Sequence, residues 1–175
     1  MEQAMSNCKN LTAPADKIMT LEQAVKWRES LRSQGIELAV TNGCFDLLHR
    51  GHVDYLCKAR QTADALLVLV NSDASVRALK GPSRPVNEEY ARAFVLAGLA
   101  AVDAVVIFDS QRCTAELAAL KPDVYAKGGD YTVETLDPDE REALLSNHAR
   151  IEFIAFVDGY STTGTIKKMN SGKQD

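Results

Sequence analysis

Short apolar runs alternate with helical patterns along almost the whole chain, and this alternation limits the possible folds more than any other feature. The apolar runs, each of strand length, are ELAV (37–40), ALLVLV (65–70), AVVIF (104–108), DVYA (123–126) and IEFIAF (151–156). The helical patterns lie near 51–62, 87–101, 113–121, 138–148 and 162–169. Such alternation is typical of a mainly parallel sheet with helices on both faces. The sequence therefore predicts one Rossmann-like, doubly wound α/β domain with five strands.

Caps and patterning predict where this domain begins and ends. A helix is expected over 20–34, because Thr20 and Gln23 form a capping box and Gly35 follows the last helical position. Residues 1–19 are polar and unpatterned, so we expect a loose N-terminal tail there. Residues 170–175 are expected to be a C-terminal tail, which leaves one domain over 20–169.

Charge and composition exclude several classes of protein. The net charge of the 175-residue chain is −4, whereas nucleic-acid and membrane-surface binding need a basic face. The longest apolar run is too short to cross a bilayer, and the first ten residues do not resemble a signal peptide. The four cysteines form no C-x-x-C pair, which argues against a disulfide framework. We expect a cytoplasmic protein with no nucleic-acid or membrane partner.

Polar and glycine-rich segments follow the predicted strands. They are TNGCFD (41–46), NSD (71–73), DS (109–110), KGGD (127–130) and DGYSTT (158–163). Ligands of doubly wound sheets bind beyond the carboxyl ends of the strands, near the switch in strand order. The segments therefore predict a site at that edge of the sheet. Neither a P-loop nor a G-x-G-x-x-G turn is present, which disfavours a kinase, an ATPase and a dehydrogenase.

Two of the three histidines lie in TNGCFDLLHRGH (41–52), at a predicted strand-to-helix junction. His49 and His52 are three residues apart and would share one helix face, and Gly51 would let a ligand approach that face. The helix N-terminus adds N–H groups and a positive dipole end, which suit phosphate. The alternatives are a structural turn and a zinc site that includes Cys44, but no fourth zinc ligand is evident at regular spacing. The sequence favours a phosphate site without a metal held by side chains.

These residues also carry a resemblance to a known family. GCFDLLHRGH (43–52) resembles the G-x-F-D-x-x-H-x-G-H signature of the nucleotidyltransferase superfamily that includes the cytidylyltransferases and phosphopantetheine adenylyltransferase. GYSTTGTIKK (159–168) is similar to its second signature, I-S-T/S-T, with Tyr160 in place of isoleucine. NSDASVRALKGPSRPVN (71–87), VDAVVIF (102–108) and LKPDVYAKGGDY (120–131) resemble a narrower group, the adenylyltransferase domain of bacterial ADP-heptose synthases. The resemblance covers residues 18–169 in order.

The resemblance implies a reaction: AMP passes from ATP, with Mg²⁺ on its triphosphate, to D-glycero-β-D-manno-heptose 1-phosphate, giving ADP-heptose and pyrophosphate. A phosphate nucleophile is mostly ionised at neutral pH, with a second pKa of roughly 6, so the site must supply charge stabilisation rather than a base. Phe156 stands where glycerol-3-phosphate cytidylyltransferases carry an arginine, which favours ATP over CTP. The alternatives are glycerol 3-phosphate with CTP, FMN with ATP, and a nucleotide-binding module without turnover. A homodimer is expected, as are a separate heptose kinase and a phosphatase.

The resemblance further implies roles for individual residues. The expected catalytic residues are His49, His52, Lys80 and Arg92. The expected nucleotide-binding residues are Gly43, Cys44, Phe45, Gly51, Lys127, Gly128, Gly129, Asp130, Tyr160, Ser161, Thr162 and Thr163. The expected substrate-binding residues are Asn42, Asp46, Asp73 and Arg84, and for Asp46 a role in bracing the turn is the alternative. The segment KGPSRP (80–85) is expected to act as a lid.

Overall fold

A six-stranded sheet forms the centre of the chain. The computed structural model describes residues 12–129, 132–157 and 159–171, the side chain of Asn170 excepted. Its strands are β1 (Ile18–Met19), β2 (Leu38–Gly43), β3 (Ala65–Asn71), β4 (Ala104–Phe108), β5 (Val124–Gly128) and β6 (Arg150–Ile154). Their order across the sheet is β1-β4-β3-β2-β5-β6, and every pair is parallel. The predicted fold class is confirmed, whereas the predicted count of five strands was wrong.

The strand that the sequence did not reveal is β1, at the edge of the sheet. Ile18 pairs with Val105 of β4, and a 3-10 helix over Pro14–Lys17 precedes the strand. The ammonium of Lys17 donates to the carbonyl of Val102 at 2.8 Å, which ties this segment to the domain. Two residues are too few to show an alternating pattern. The prediction of a loose tail was therefore wrong for residues 14–19, and residues 1–11 lie outside the described residues.

Seven α-helices are described. They are α1 (Leu21–Ser33), α2 (Arg50–Arg60), α3 (Asp73–Lys80), α4 (Glu89–Ala97), α5 (Thr114–Leu120), α6 (Pro138–Ser146) and α7 (Thr162–Ser171). The capping box of Thr20 and Gln23 begins α1, as predicted. The sequence did not predict α3, which Ser72 caps by accepting a hydrogen bond from the backbone of Ser75. Because Lys80 is the last residue of α3, it belongs to a helix rather than to the predicted lid segment.

The helices cover both faces of the sheet and divide the hydrophobic core in two. On one face α1, α5 and α6 pack through residues such as Leu31, Leu117 and Leu144. On the other face α2 and α4 pack through Leu56 and Leu96. Within the described ranges, no helix has the length and apolar character needed to cross a membrane.

The path of the chain through the sheet places an opening between β2 and β5. From β2 the chain proceeds outward to β3 and β4, and it then crosses to β5 and β6 on the other side of β2. The reversal makes β2 and β5 neighbours at the switch in strand order, where doubly wound sheets bind ligands. The carboxyl ends of these strands are Gly43 and Gly128, both within segments predicted to form the site.

Candidate active site

Two adjoining cavities open at this edge of the sheet. The larger has a volume of about 450 Å³, and the smaller of about 230 Å³. The predicted residues that line the larger cavity are Asn42, Gly43, Cys44, Phe45, Asp46, His52, Lys80, Arg84, Lys127, Gly128, Thr162 and Thr163. Those that line the smaller are His49, Gly51, His52, Tyr160, Ser161 and Thr162. Segments distant in sequence thus meet at one site.

The two histidines form a stacked pair at the start of α2. Their ring centroids are 3.9 Å apart and their planes meet at 15°. His49 is the N-cap residue, and its carbonyl accepts from the backbone N–H of His52 at 2.9 Å. Gly51 is buried beside them, where an added Cβ would lie 3.1 Å from Nδ1 of His49. The spacing of the pair therefore does produce a shared face, which borders both cavities.

The turn before the pair is shaped by Gly43 and Phe45. Phe45 is in the left-handed region, with φ of 44°, and its buried ring meets the ring of His52 edge-on at a centroid distance of 5.4 Å. An added Cβ on Gly43 would lie 2.9 Å from Cε2 of Phe45. A side chain at 43 would consequently displace the ring that supports His52.

Burial controls protonation at the site. It lowers the pKa of His52 to about 4, and the nearby His49 contributes to the same shift. Burial also lowers the pKa of His49. For Cys44, burial raises the pKa of the thiol even though Lys80 and two arginines oppose the shift. At neutral pH the protein without ligand therefore carries two neutral imidazoles and a protonated thiol.

The N-terminus of α7 lies against the loop that carries the histidines. The hydroxyl of Ser161 accepts from the backbone N–H of Gly164 at 3.0 Å, as an N-cap does. The hydroxyl of Thr162 donates to the carbonyl of Leu47 at 3.4 Å, and Thr163 lines the larger cavity. Of these three hydroxyls, that of Ser161 therefore caps α7, and that of Thr162 joins α7 to the loop that carries the histidines.

Arg92, predicted to be catalytic, is buried and fully engaged with the protein. Its Nε donates to the carbonyl of Asn87 at 3.0 Å, and Nη1 donates to that of Cys44 at 2.6 Å. Its Nη2 donates to the carbonyl of Asn71 at 2.7 Å and to Oδ1 of Asp73 at 2.9 Å. The side chain is 0% exposed and lines neither of the two cavities. The structure thus contradicts a direct catalytic contact by Arg92, which instead joins three loops of the site.

Two predicted substrate-binding carboxylates also face protein groups. Asp46 pairs with Arg84 and accepts from the backbone N–H groups of Val86 and Asn87 at 2.7 and 3.1 Å. Burial alone would raise the pKa of Asp46, but these hydrogen bonds outweigh it and lower the pKa. Asp46 therefore braces the loop, which was the stated alternative. Asp73 pairs with Arg92 and lines neither cavity, and its role with sugar hydroxyls stays a prediction.

Asn42 and Lys127 meet at the crevice between β2 and β5. The ammonium of Lys127 donates to Oδ1 of Asn42 at 3.1 Å, so the two residues share one part of the larger cavity. Lys80 and Arg84 line the same cavity, which is therefore rich in cationic groups suited to phosphate. The sequence assigned Asn42 to the acceptor and Lys127 to the nucleotide, and their hydrogen bond means that the two side chains lie next to each other in the cavity.

The acidic side chains of the described site are already occupied by protein partners. Within residues 12–129, 132–157 and 159–171, no group of three His, Cys, Asp or Glu side chains could hold a metal ion. Asp46 and Asp73 are committed to arginines. A Mg²⁺ ion carried on the triphosphate fits this arrangement, because phosphate oxygens would supply its ligands.

Four residues that line the larger cavity were not assigned a catalytic or binding role from the sequence, although Phe156 stands at the position that favours ATP over CTP and Asn71 lies in a segment predicted at the site edge: Tyr55, Asn71, Leu79 and Phe156. Tyr55 follows His52 by three positions on α2, so helical spacing could have revealed it. Asn71 ends β3, where the rule on strand ends points to the site. Gly129 does not line either cavity, and Asp130 lies outside the described residues.

Comparison with known proteins agrees with this geometry. Residues 40–168 match the family described as cytidylyltransferase-like. The chain is 45% identical over 161 residues to the bifunctional protein HldE of Mesorhizobium japonicum, and 46% identical over 155 residues to HldE of Caulobacter vibrioides. These alignments cover 92% and 89% of this chain and 32% of each relative, so the chain spans about a third of their length.

A solved structure supports the fold alone. It is the lipopolysaccharide core biosynthesis protein from Thermoplasma volcanium, with a TM-score of 0.58 and 23% identity over 73% of this chain and 100% of that one. The two signatures in the sequence, the stacked histidines and the family match agree with one another. The chain is a nucleotidyltransferase that belongs to the cytidylyltransferase-like family.

Proposed function

We propose that the chain transfers AMP from ATP to D-glycero-β-D-manno-heptose 1-phosphate and releases ADP-heptose and pyrophosphate. The observation that carries this proposal is the meeting of the stacked His49–His52 pair with the N-terminus of α7 at one cavity edge. Two helix N-termini and two imidazoles at one point suit a chain of phosphates. The similarity to proteins named HldE supports the choice of acceptor.

The reaction is a direct in-line displacement at the α-phosphorus. An oxygen of the acceptor phosphate forms a bond to this phosphorus while the bond to the bridging oxygen of pyrophosphate breaks. Negative charge grows on the equatorial oxygens and on the leaving group, so donors that lie there lower the barrier. His49 and His52 would donate to these oxygens, and the backbone N–H groups of Cys44 and Phe45 would face the same phosphate.

A displacement without a covalent intermediate agrees with the state of the side chains. The Cys44 thiol is protonated, because burial raises its pKa, and the Ser161 hydroxyl is engaged as a helix cap. The described hydrogen bonds of these two side chains join Cys44 to Asn71 and Ser161 to Gly164, and so pair neither with a histidine that could act as a general base. Their positions support a role in binding rather than in attack.

Cationic groups at the larger cavity support a phosphorylated acceptor. Lys80, Arg84 and Lys127 line it, and Asn42 adds an amide suited to sugar hydroxyls. The segments LKGPSRPVN (79–87) and KGGDY (127–131) favour heptose 1-phosphate among such acceptors. The proposal includes Mg²⁺ bound with ATP, a homodimer, a cytoplasmic location, and a separate kinase and phosphatase that supply the acceptor.

The test is pyrophosphate release by the purified chain with ATP or CTP against a panel of phosphorylated acceptors. The panel contains heptose 1-phosphate in both anomers, mannose 1-phosphate, glycerol 3-phosphate and FMN, and mass spectrometry identifies the product. We expect the highest kcat/KM with ATP and the β-anomer of heptose 1-phosphate. The His49→Ala/His52→Ala variant serves as the background. Fastest turnover with another acceptor would replace the proposed substrate, and ATP binding without any turnover would indicate a binding module.

A further inference from the structure

Three polar side chains form a closed triangle at the crevice between β2 and β5. The hydroxyl of Tyr125 donates to Oδ1 of Asn42 at 2.7 Å, and the ammonium of Lys127 donates to the same oxygen at 3.1 Å. Lys127 also donates to the hydroxyl oxygen of Tyr125 at 2.9 Å. Asn42 and Lys127 line the larger cavity, whereas Tyr125 is fully buried behind them. The triangle thus forms part of the cavity wall at the switch in strand order.

The triangle determines which way the carboxamide of Asn42 points. An ammonium group has only donors, so the Asn42 atom that Lys127 contacts must be the oxygen. With Oδ1 turned toward Tyr125 and Lys127, the amide nitrogen lies at the opposite end of a planar group. Across the described residues, the hydrogen bonds of the Asn42 side chain all go to its oxygen. Asn42 therefore keeps two donors for a ligand in the cavity that it lines.

Buried groups behind the cavity stabilise the hydrogen bonds of the triangle. Burial raises the pKa of Tyr125 well above its ordinary value, so its hydroxyl remains a donor at any working pH. Oε2 of the buried Glu140 lies 3.9 Å from the ammonium of Lys127, while Oε1 accepts from the backbone N–H of Cys113 at 3.1 Å. A buried carboxylate requires such a cation nearby. Glu140 therefore anchors the triangle to α6.

We propose that Tyr125 is a positioning residue that aims the amide donors of Asn42 at the oxygen-rich acceptor, and that Asn42 thereby selects a phosphorylated polyol. The inference rests on the proposed function, in which the acceptor is a sugar phosphate. A fixed donor pair favours ligands that offer oxygen at that point, because an analogue without it displaces water from the donors and leaves them unpaired. In the proposed function the triphosphate binds at the histidines and α7, so the triangle should affect the acceptor and not ATP.

The test compares Tyr125→Phe, Asn42→Ala and the double variant by steady-state kinetics in both substrates. Tyr125→Phe removes one oxygen and leaves Lys127 as the remaining described donor to Asn42. We expect KM for the acceptor to rise roughly 10-fold, with kcat and KM for ATP within about two-fold of wild type. In the Asn42→Ala background, Tyr125→Phe should raise the acceptor KM no further, because both changes act on one contact. Tyr90→Phe, which removes the same atom from an exposed side chain on α4, is the control.

Each outcome separates this inference from the proposed function. A wild-type protein that uses no phosphorylated acceptor would overturn both. An active wild type with an unchanged acceptor KM in Tyr125→Phe, or with additive effects in the double variant, would overturn the inference alone. If Tyr125→Phe does not fold, Asn42→Asp replaces the donor pair at the partly exposed position 42 with a second acceptor. This variant should then raise the acceptor KM more than Asn42→Ala does, and an equal or smaller rise would overturn the inference.

Discussion

The guanidinium of Arg92 holds the backbone carbonyl of Cys44 at 2.6 Å from inside the domain. Cys44 lies in the turn that precedes the histidines, and it lines the larger cavity. The same guanidinium bonds to the carbonyls of Asn71 and Asn87 and to the carboxylate of Asp73. A single buried side chain therefore fixes the relative positions of the loops that follow β2 and β3.

Arg92→Lys tests this structural role. Lysine keeps the charge but cannot form the planar fork that reaches several carbonyls, so buried acceptors lose their partners. We expect the free energy of unfolding to fall by about 2 to 4 kcal/mol, measured by denaturant unfolding. Arg77→Lys, at an exposed position of α3, is the control and should change stability by less than about 0.5 kcal/mol. Wild-type stability with a selective loss of kcat would restore a catalytic role for Arg92.

His52→Ala tests the charge-stabilising role of the stacked pair. We expect kcat to fall roughly 100-fold, as it does on loss of one preorganised oxyanion donor, with KM for ATP changed only a few-fold. His49→Ala should behave similarly, and the double variant should be less than additive because both imidazoles act on the same charge. Pyrophosphate release at saturating substrate gives kcat.

The third histidine provides the control for this experiment. His148 is exposed and has φ of 59°, so asparagine is the substitution that its backbone tolerates. His148→Asn should retain wild-type kcat. Wild-type kcat in the double variant of His49 and His52 would leave the pair as a structural turn.

The lowered pKa of His52 makes stability depend on pH. Its pKa is about 4 in the folded protein, against about 6.5 in an unfolded chain. Between these values the unfolded state binds the proton and the folded state does not, so the free energy of unfolding falls as pH drops from 6.5 to 4. The full shift corresponds to about 3 kcal/mol, which solvent screening of this partly exposed ring reduces to about 1 to 2 kcal/mol.

Denaturant unfolding at pH 7 and pH 4.5 measures this contribution, and His52→Gln isolates it from other groups. The loss of stability on acidification should be smaller in the variant by about 1 kcal/mol or more. Equal losses in both proteins would mean that His52 titrates normally in the folded state.

Much of the architecture could be predicted from the sequence because it depends on patterns within single segments. The buried strands show as apolar runs, and the stacking of His49 on His52 agrees with their spacing of three residues, although His49 is the N-cap residue rather than part of the helix. The edge strand at Ile18 could not be predicted, since two residues carry no periodicity. Contacts between residues that are distant in sequence could not be predicted either. Arg92 and Cys44 are 48 residues apart, so the charge of Arg92 suggested a phosphate contact, whereas in the folded protein its guanidinium binds the carbonyl of Cys44.

We propose that Phe156 favours ATP over CTP. Its ring lines both cavities and packs against the backbone of Gly128. An added Cβ on Gly128 would lie 2.5 Å from Cε1 of Phe156. Phe156 is also 60% exposed as a residue, which leaves aromatic surface for a base. Stacking of a base on an aromatic side chain contributes roughly 1–3 kcal/mol, and a purine offers the larger face. In the resembling cytidylyltransferases an arginine occupies this position.

We therefore expect a higher kcat/KM with ATP than with CTP for the wild-type protein on one acceptor. Phe156→Ala should lower kcat/KM for ATP roughly 10-fold and lower that for CTP less, because the purine loses more stacking. Phe156→Tyr, which keeps the ring, should preserve the preference and serves as the control. Competition between the two nucleotides, followed by mass spectrometry of the sugar products, measures the ratio directly. Faster turnover with CTP in the wild type, or an unchanged ratio in Phe156→Ala, would show that the base is selected elsewhere in the cavity.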